Sequence, residues 1–190
     1  MLSTMFDPAL VEPDKIRPLS RKEYDRMVEL GMFEDERVEL LNGMLVTMSP
    51  QGWHHSATVS WLTEKLILSV DRSYEVRPQL PYAANDWSEP EPDLAVARKD
   101  PGLRDHPSQL FLLIEVAESS LRKDRGVKLG VYAAAGVPEY WIICLADMTV
   151  EVYTQPTAAG YVEKRVLRDG DVLRPTQVPG VEIAVADLPR

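Results

Sequence analysis

The 190-residue chain falls within the size of one domain, and its 45% hydrophobic and 27% charged residues exclude a disordered, fibrous or membrane composition. A net charge of −9, with a pI near 4.9, argues against coating nucleic acid through bulk electrostatics. It leaves room for an enzyme that concentrates carboxylates to hold cations and clusters its basic side chains beside them. The N-terminal stretch lacks a basic region followed by an apolar core, and no apolar run reaches the roughly eighteen residues of a membrane span. A cytoplasmic protein with no membrane contact is therefore expected. The single cysteine, Cys144, lies in the apolar run YWIICL and reads as a small buried hydrophobe.

Residues 1–19 carry three prolines and no periodicity, and read as an extended arm ahead of one domain over 20–190. Ser20 with Glu23 forms a capping box, Leu19 and Tyr24 can staple it, and Gly31 supplies a stop, so a short helix is expected over 21–30. In RVELLNGMLVTM, Asn42-Gly43 separates two β-like runs and predicts a hairpin with a type I′ turn. Residues 55–70 set Val59, Leu62, Leu66 and Val70 at helical spacing, with Trp61 and Ile67 widening the stripe.

Extended runs at 73–77 and 79–83, a Pro- and acid-rich loop and the short strand Leu94-Ala95-Val96 come next. FLLIEVA at 111–117 has the apolar continuity of a central strand buried on both faces. A helix over 122–135 ends at Gly136, and EYWIICL, MTVEVYT, GYVEKRVL and VEIAV read as further strands. The pattern predicts an α/β (α+β) fold: a mixed β-sheet flanked by helices, with an N-terminal helix and β-hairpin, and a βαβ unit over 111–145.

Glu115 interrupts the otherwise apolar FLLIEVA, where an ionised carboxylate needs a partner. Asp93, after Pro92 at the start of a short strand, can lie beside it and complete a hard-oxygen site for Mg²⁺ or Mn²⁺. The bland alternatives are a turn carboxylate for Asp93 and a salt bridge to an arginine or Lys128 for Glu115. Lys128 lies one turn after Asp124 and one before Tyr132. Spacing alone favours an exposed Asp124–Lys128 ion pair worth about 0.3–0.5 kcal/mol.

The ordered blocks VELLNG, SPQGWHH, EPDLAV, LLIEVAES and DRGVKLGVYAAAGVPEYWII, over roughly residues 20–155, resemble the Uma-two family of restriction endonucleases, within the PD-(D/E)XK nuclease superfamily. That resemblance implies a restriction-endonuclease-like fold and a Mg²⁺- or Mn²⁺-dependent endonuclease acting on DNA. It makes Asp93 and Glu115 metal ligands and, with Lys128, catalytic residues. The superfamily lysine normally stands two residues after the glutamate, where this chain has Ala117; Lys128 looks like its displaced equivalent, with Lys123 next in line. Glu39 and His55 match recurrent polar positions of the family, and Asp124 and Tyr132 are further candidates to line the site. From the residues alone, Glu39 reads as an outward hairpin residue and His55 as a helix N-terminal side chain bonded to a neighbour. Three histidines and one cysteine form no zinc pattern.

Phosphodiester hydrolysis needs an in-line water and neutralised phosphate charge; Lys128 would orient or deprotonate that water or stabilise charge. Nucleic acid and a second copy of the chain are the expected partners, a homodimer being suited to duplex cleavage. The rivals are a catalytically inactive nuclease-fold binding module and a hydrolase of another phosphate ester. No glycine-rich nucleotide loop is present.

Overall fold

The computed structural model describes residues 16–102 and 104–190. Most of the expected N-terminal arm lies outside the described residues. Its last segment runs over the hairpin turn, where the Leu19 amide donates to the Gly43 carbonyl at 2.9 Å. Helix α1 (Arg21–Glu29) starts on the expected capping box: Ser20 and Glu23 satisfy each other's backbone amides. The hairpin of β1 (Val38–Leu41) and β2 (Met44–Thr47) turns through Asn42 at φ 50° and Gly43 at φ 77°, both left-handed as a type I′ turn requires. Gly43 also has Pro18 packed where a side chain would stand, so glycine is needed twice over.

Helix α2 (Trp53–Ser69) precedes the main sheet, which contains β3 (Tyr74–Pro78), β4 (Leu94–Arg98), β5 (Leu112–Ala117), β6 (Glu139–Cys144), β7 (Thr149–Thr157) and β8 (Gly160–Leu167). The six strands lie in sequence order, and β5 and β6 are the parallel pair in an otherwise antiparallel ladder. Parallel pairing demands a crossover. It is made by α3 (Leu121–Lys123), a π turn (Asp124–Lys128) and α4 (Leu129–Ala134). The short strands β9 (Val172–Leu173) and β10 (Ile183–Ala184) pair with each other near the C-terminus. The expected VEIAV strand is thus cut to two residues. The run 79–83 forms no ladder strand, because its Gln79 and Tyr82 amides go to the loop carbonyls of Asp93 and Pro90.

Strand alternation divides the core. Leu112, Ile114 and Val116 of β5 face Val59, Leu62 and Leu66 of α2 together with Leu173, Val178 and Ile183. Leu113 and Ala117 face the other way, toward Val131 and Tyr132 of α4, Tyr82 and Tyr140. Glu115 shares the latter parity, and so lies beneath the crossover helix. The buried stripe of α2 is narrower than its sequence implies: Ile67 is 56% exposed.

The crossover is anchored at its π turn. Arg125 donates twice to Glu151 of β7, at 3.0 and 2.8 Å, and Lys164 of β8 and the Tyr153 hydroxyl donate to the same carboxylate at 2.6 and 2.8 Å. Burial pushes Glu151 up, but the bonds from Arg125, Lys164 and Tyr153 outweigh it and bring the carboxyl from 4.5 to about 2. A carboxyl lowered on folding contributes stability that is complete above pH 4.5 and lost as pH falls toward 2. Arg125 and Lys164 are 45% and 44% exposed, so solvent screening reduces the effect. Glu151→Gln is expected to cost about 1–2 kcal/mol at pH 7 and much less at pH 2.5, as measured by denaturant unfolding at the two pH values.

Candidate active site

The β4–β5 register brings the two predicted carboxylates together. Leu94 pairs with Ile114, so the next antiparallel step sets Asp93 opposite Glu115. The Val116 amide donates to Asp93 Oδ2 at 2.8 Å, turning the side chain toward β5. His55, in the first turn of α2, meets the same oxygen through Nε2 at 3.0 Å. Burial pushes the Asp93 carboxyl up, but the His55 bond and charge, the Val116 amide and Lys128 hold it below its usual value. Burial pulls His55 down and its bond to Asp93 more than restores it, leaving the imidazole above its ordinary range. An ionised carboxylate only accepts, so Nε2 carries the proton and donates.

Glu115 Oε1 receives two donors from the crossover helix, Lys128 Nζ at 2.8 Å and the Tyr132 hydroxyl at 2.6 Å. The salt bridge to Lys128, weighed above as the bland alternative, is therefore present. Lys128 also reaches Glu39 Oε2 at 3.1 Å. Glu39 is 0% exposed, which overturns the outward reading of this hairpin residue. Its Oε1 accepts from Lys123 at 2.7 Å and its Oε2 from the Glu91 amide at 3.3 Å. The signal for burial was present in VELL, which is apolar at positions of both parities and buried at all four.

The expected exposed Asp124–Lys128 pair does not form. Both residues are buried, Asp124 accepts from the Ser120 hydroxyl at 2.5 Å, and Lys128 takes Glu115 and Glu39 as its ion partners. The π turn beginning at Asp124 changes the local periodicity, so 3.6-residue spacing misjudges which face these side chains occupy. Burial would pull the Lys128 ammonium down, but Glu115, Glu39 and Asp124 together raise it well above its usual range. Burial pushes Glu115 up to about 8, with Lys128 pulling in the opposite direction. The structure thus places Asp93, Glu115, Lys128, His55, Glu39, Asp124 and Tyr132 in one connected region. It adds Arg122, which lines the same cleft of about 630 Å³ with Asp93, Glu115, Asp124, His55 and Lys123, the second candidate for the displaced lysine. Spacing carried no signal for Arg122, which is exposed on a short helical turn.

A divalent cation fits this region by charge and by donor type. The cleft is lined by five carboxyl groups, of Glu91, Asp93, Glu115, Glu118 and Asp124, against four cationic groups, of His55, Arg122, Lys123 and Lys128. Asp93 Oδ1 and Glu115 Oε2 accept no hydrogen bond from the described residues, whose donors go to Oδ2 and Oε1. Among the described residues no three His, Cys, Asp or Glu side chains form a group able to hold an ion by themselves. The donor set therefore suits a hard cation that keeps several waters and takes one or two carboxylates, as Mg²⁺ does.

Removing Lys128 leaves two buried carboxylates without their shared cation. Lys128→Met is expected to destabilise the fold by about 3–5 kcal/mol at pH 8, far more than the loss of a surface pair. The loss should shrink as pH falls below about 8, where Glu115 can take up a proton. Chemical denaturation of both proteins at pH 8 and pH 5 measures it, and a difference below about 0.5 kcal/mol at both would place Lys128 outside this pair.

No curated protein matches the sequence. The fold is similar to a solved structure described as a putative nuclease from Anabaena variabilis, with a TM-score of 0.72 at 19% identity, over 90% of this chain and 97% of that one. Likeness at that identity establishes the nuclease-like fold. Residues 21–186 match the family Uma2 (Uma-two), described as "Putative restriction endonuclease", a span that includes every site residue named above. The chain belongs to the Uma2 family.

Proposed function

We propose that this protein is a divalent-cation-dependent endonuclease that hydrolyses phosphodiester bonds in DNA. The observation that carries this reading is a close pair of carboxylates, Asp93 and Glu115, held on adjacent strands with one oxygen of each left unengaged by the described residues. Family membership supports nuclease chemistry, and the hard-oxygen donors support Mg²⁺ or Mn²⁺. Such a cation, when bound, neutralises phosphate charge and lowers the pKa of a coordinated water.

The chain's own residues supply the rest. His55 and the Val116 amide orient Asp93, and Lys128 and Tyr132 orient Glu115, so both carboxylates are held before substrate arrives. Lys128, ion-paired with both Glu115 and Glu39, is better suited to stabilise negative charge than to accept a proton. Arg122 and Lys123 place positive charge at the cleft within an acidic chain, where a phosphate backbone can be gripped locally.

One observation favours a binding module without cleavage: Lys128 is 2% exposed and spends its ammonium on two carboxylates. Metal dependence separates the readings. Nicking of supercoiled DNA in Mg²⁺ should be abolished by EDTA and lowered about a hundredfold or more by Asp93→Asn, with an unchanged melting profile. DNA binding without cleavage in either Mg²⁺ or Mn²⁺ would establish the module instead, and turnover of small phosphate esters without DNA cleavage would establish a different hydrolase.

Cutting both strands also calls for a second active site, supplied by a homodimer. The edge of β8, unpaired among the described residues, supports this, with Val162 and Val166 66% and 42% exposed. Light scattering should give twice the 21.4 kDa chain mass at micromolar concentration, and a single chain mass would exclude the dimer.

A further inference from the structure

Asp124 is buried to 1% exposure in the π turn and is one of the residues lining the cleft that contains Asp93 and Glu115. Most of its polar atoms are satisfied locally. Its amide donates to the Ser120 carbonyl at 3.0 Å, its carbonyl accepts from the Tyr140 hydroxyl at 3.2 Å, and Oδ2 accepts from the Ser120 hydroxyl. Oδ1 is buried and has no hydrogen-bond partner among the described residues. A buried carboxylate oxygen left unpaired is costly, and native proteins seldom retain one without use.

None of the neighbouring cations, the exposed Arg122 included, bonds to it. Lys123 is bonded to Glu39, Lys128 is bonded to Glu115 and paired with Glu39, and His55 Nε2 is bonded to Asp93. The helix therefore holds, in a residue that lines the cleft, a buried acceptor with no donor from the described residues. Since the cleft already has more carboxylates than cationic groups, the missing donor is itself expected to be cationic or carried by a cation. A hydrated divalent ion supplies polarised water protons of that kind.

We infer that Asp124 is an outer carboxylate of the cation site, its free Oδ1 accepting hydrogen bonds from the hydrated divalent ion that Asp93 and Glu115 hold. The inference rests on the cation reading of the cleft and assigns a positioning role to a residue outside the Asp93–Glu115 pair. Ser120 belongs to the same device, because its hydroxyl fixes Oδ2 and thereby aims Oδ1. Outer partners of this type contribute about 10- to 100-fold to metal affinity.

Calorimetric titration of the full chain with MnCl₂, without DNA, reads this affinity independently of cleavage. Asp124→Asn retains the shape of the side chain and an oxygen for Ser120, and is expected to raise the Mn²⁺ Kd about tenfold or more with melting unchanged. Ser120→Ala, which leaves the Asp124 carboxylate in place but untethered, is expected to raise it severalfold and decides the matter if Asp124→Asn fails to fold. Wild-type affinity in the folded variants would overturn the role of Asp124 alone, leaving Asp93 and Glu115 as the cation site. No Mn²⁺ binding by the wild-type chain, or undiminished binding in an Asp93→Asn, Glu115→Gln double variant, would overturn the cation reading and this inference with it.

Discussion

One buried ammonium group ties together three parts of the chain that are distant in sequence. Lys128 on the crossover helix lies within 2.8 Å of Glu115 on the central strand and 3.1 Å of Glu39 on the N-terminal hairpin. Taking one such charge out of water costs several kcal/mol, so the arrangement persists only while all three groups keep their geometry. Tyr132, Lys123 and the Glu91 amide meet the remaining hydrogen-bonding capacity of the two carboxylates in part. Hairpin, sheet and helix are consequently held in one relative position by electrostatics, in addition to the apolar burial on both sheet faces.

The same constraint explains why the titratable side chains gather at this end of the sheet. Parallel pairing of β5 with β6 forces the crossover helix over the face that bears Glu115. Antiparallel pairing of β5 with β4 brings Asp93 to the adjacent position. A carboxylate from a strand, a carboxylate from a strand end, and a lysine from the covering helix thus converge without a long loop. The Arg125–Glu151 contact secures the far side of the π turn and so fixes the direction in which Asp124 and Lys128 point.

The proposed action of an acidic protein on a polyanion is not contradictory when charge is considered locally. Across the chain, 30 acidic residues exceed 21 lysines and arginines, which disfavours nonspecific coating of nucleic acid. Within the cleft, the excess carboxylates are the feature that suits a divalent ion, and Arg122 with Lys123 supplies positive charge beside it. Charge that opposes association at long range can therefore serve recognition once an ion is bound, since screening limits the reach of surface charge to about 8–10 Å at ordinary salt.

Much of the fold was legible because it rests on local signals. The capping box at Ser20–Glu23, the Asn42-Gly43 turn, the apolar stripe of α2 and the continuous run of β5 each encode their element within a few residues. Glu115 stood out because a carboxylate in such a run needs compensation, and the family blocks singled out Lys128. The partners were not legible. Whether Lys128 meets Asp124 or Glu115, whether Glu39 faces solvent or the interior, and that His55 reaches Asp93 depend on strand register and on a π turn in the crossover. Sequence by itself determined the elements and singled out the residues of the candidate site, since propensity, turn geometry and hydrophobic period act over short stretches of chain. Only the tertiary structure decided which charges share one desolvated space, because that pairing is set by contacts between residues as much as 89 positions apart.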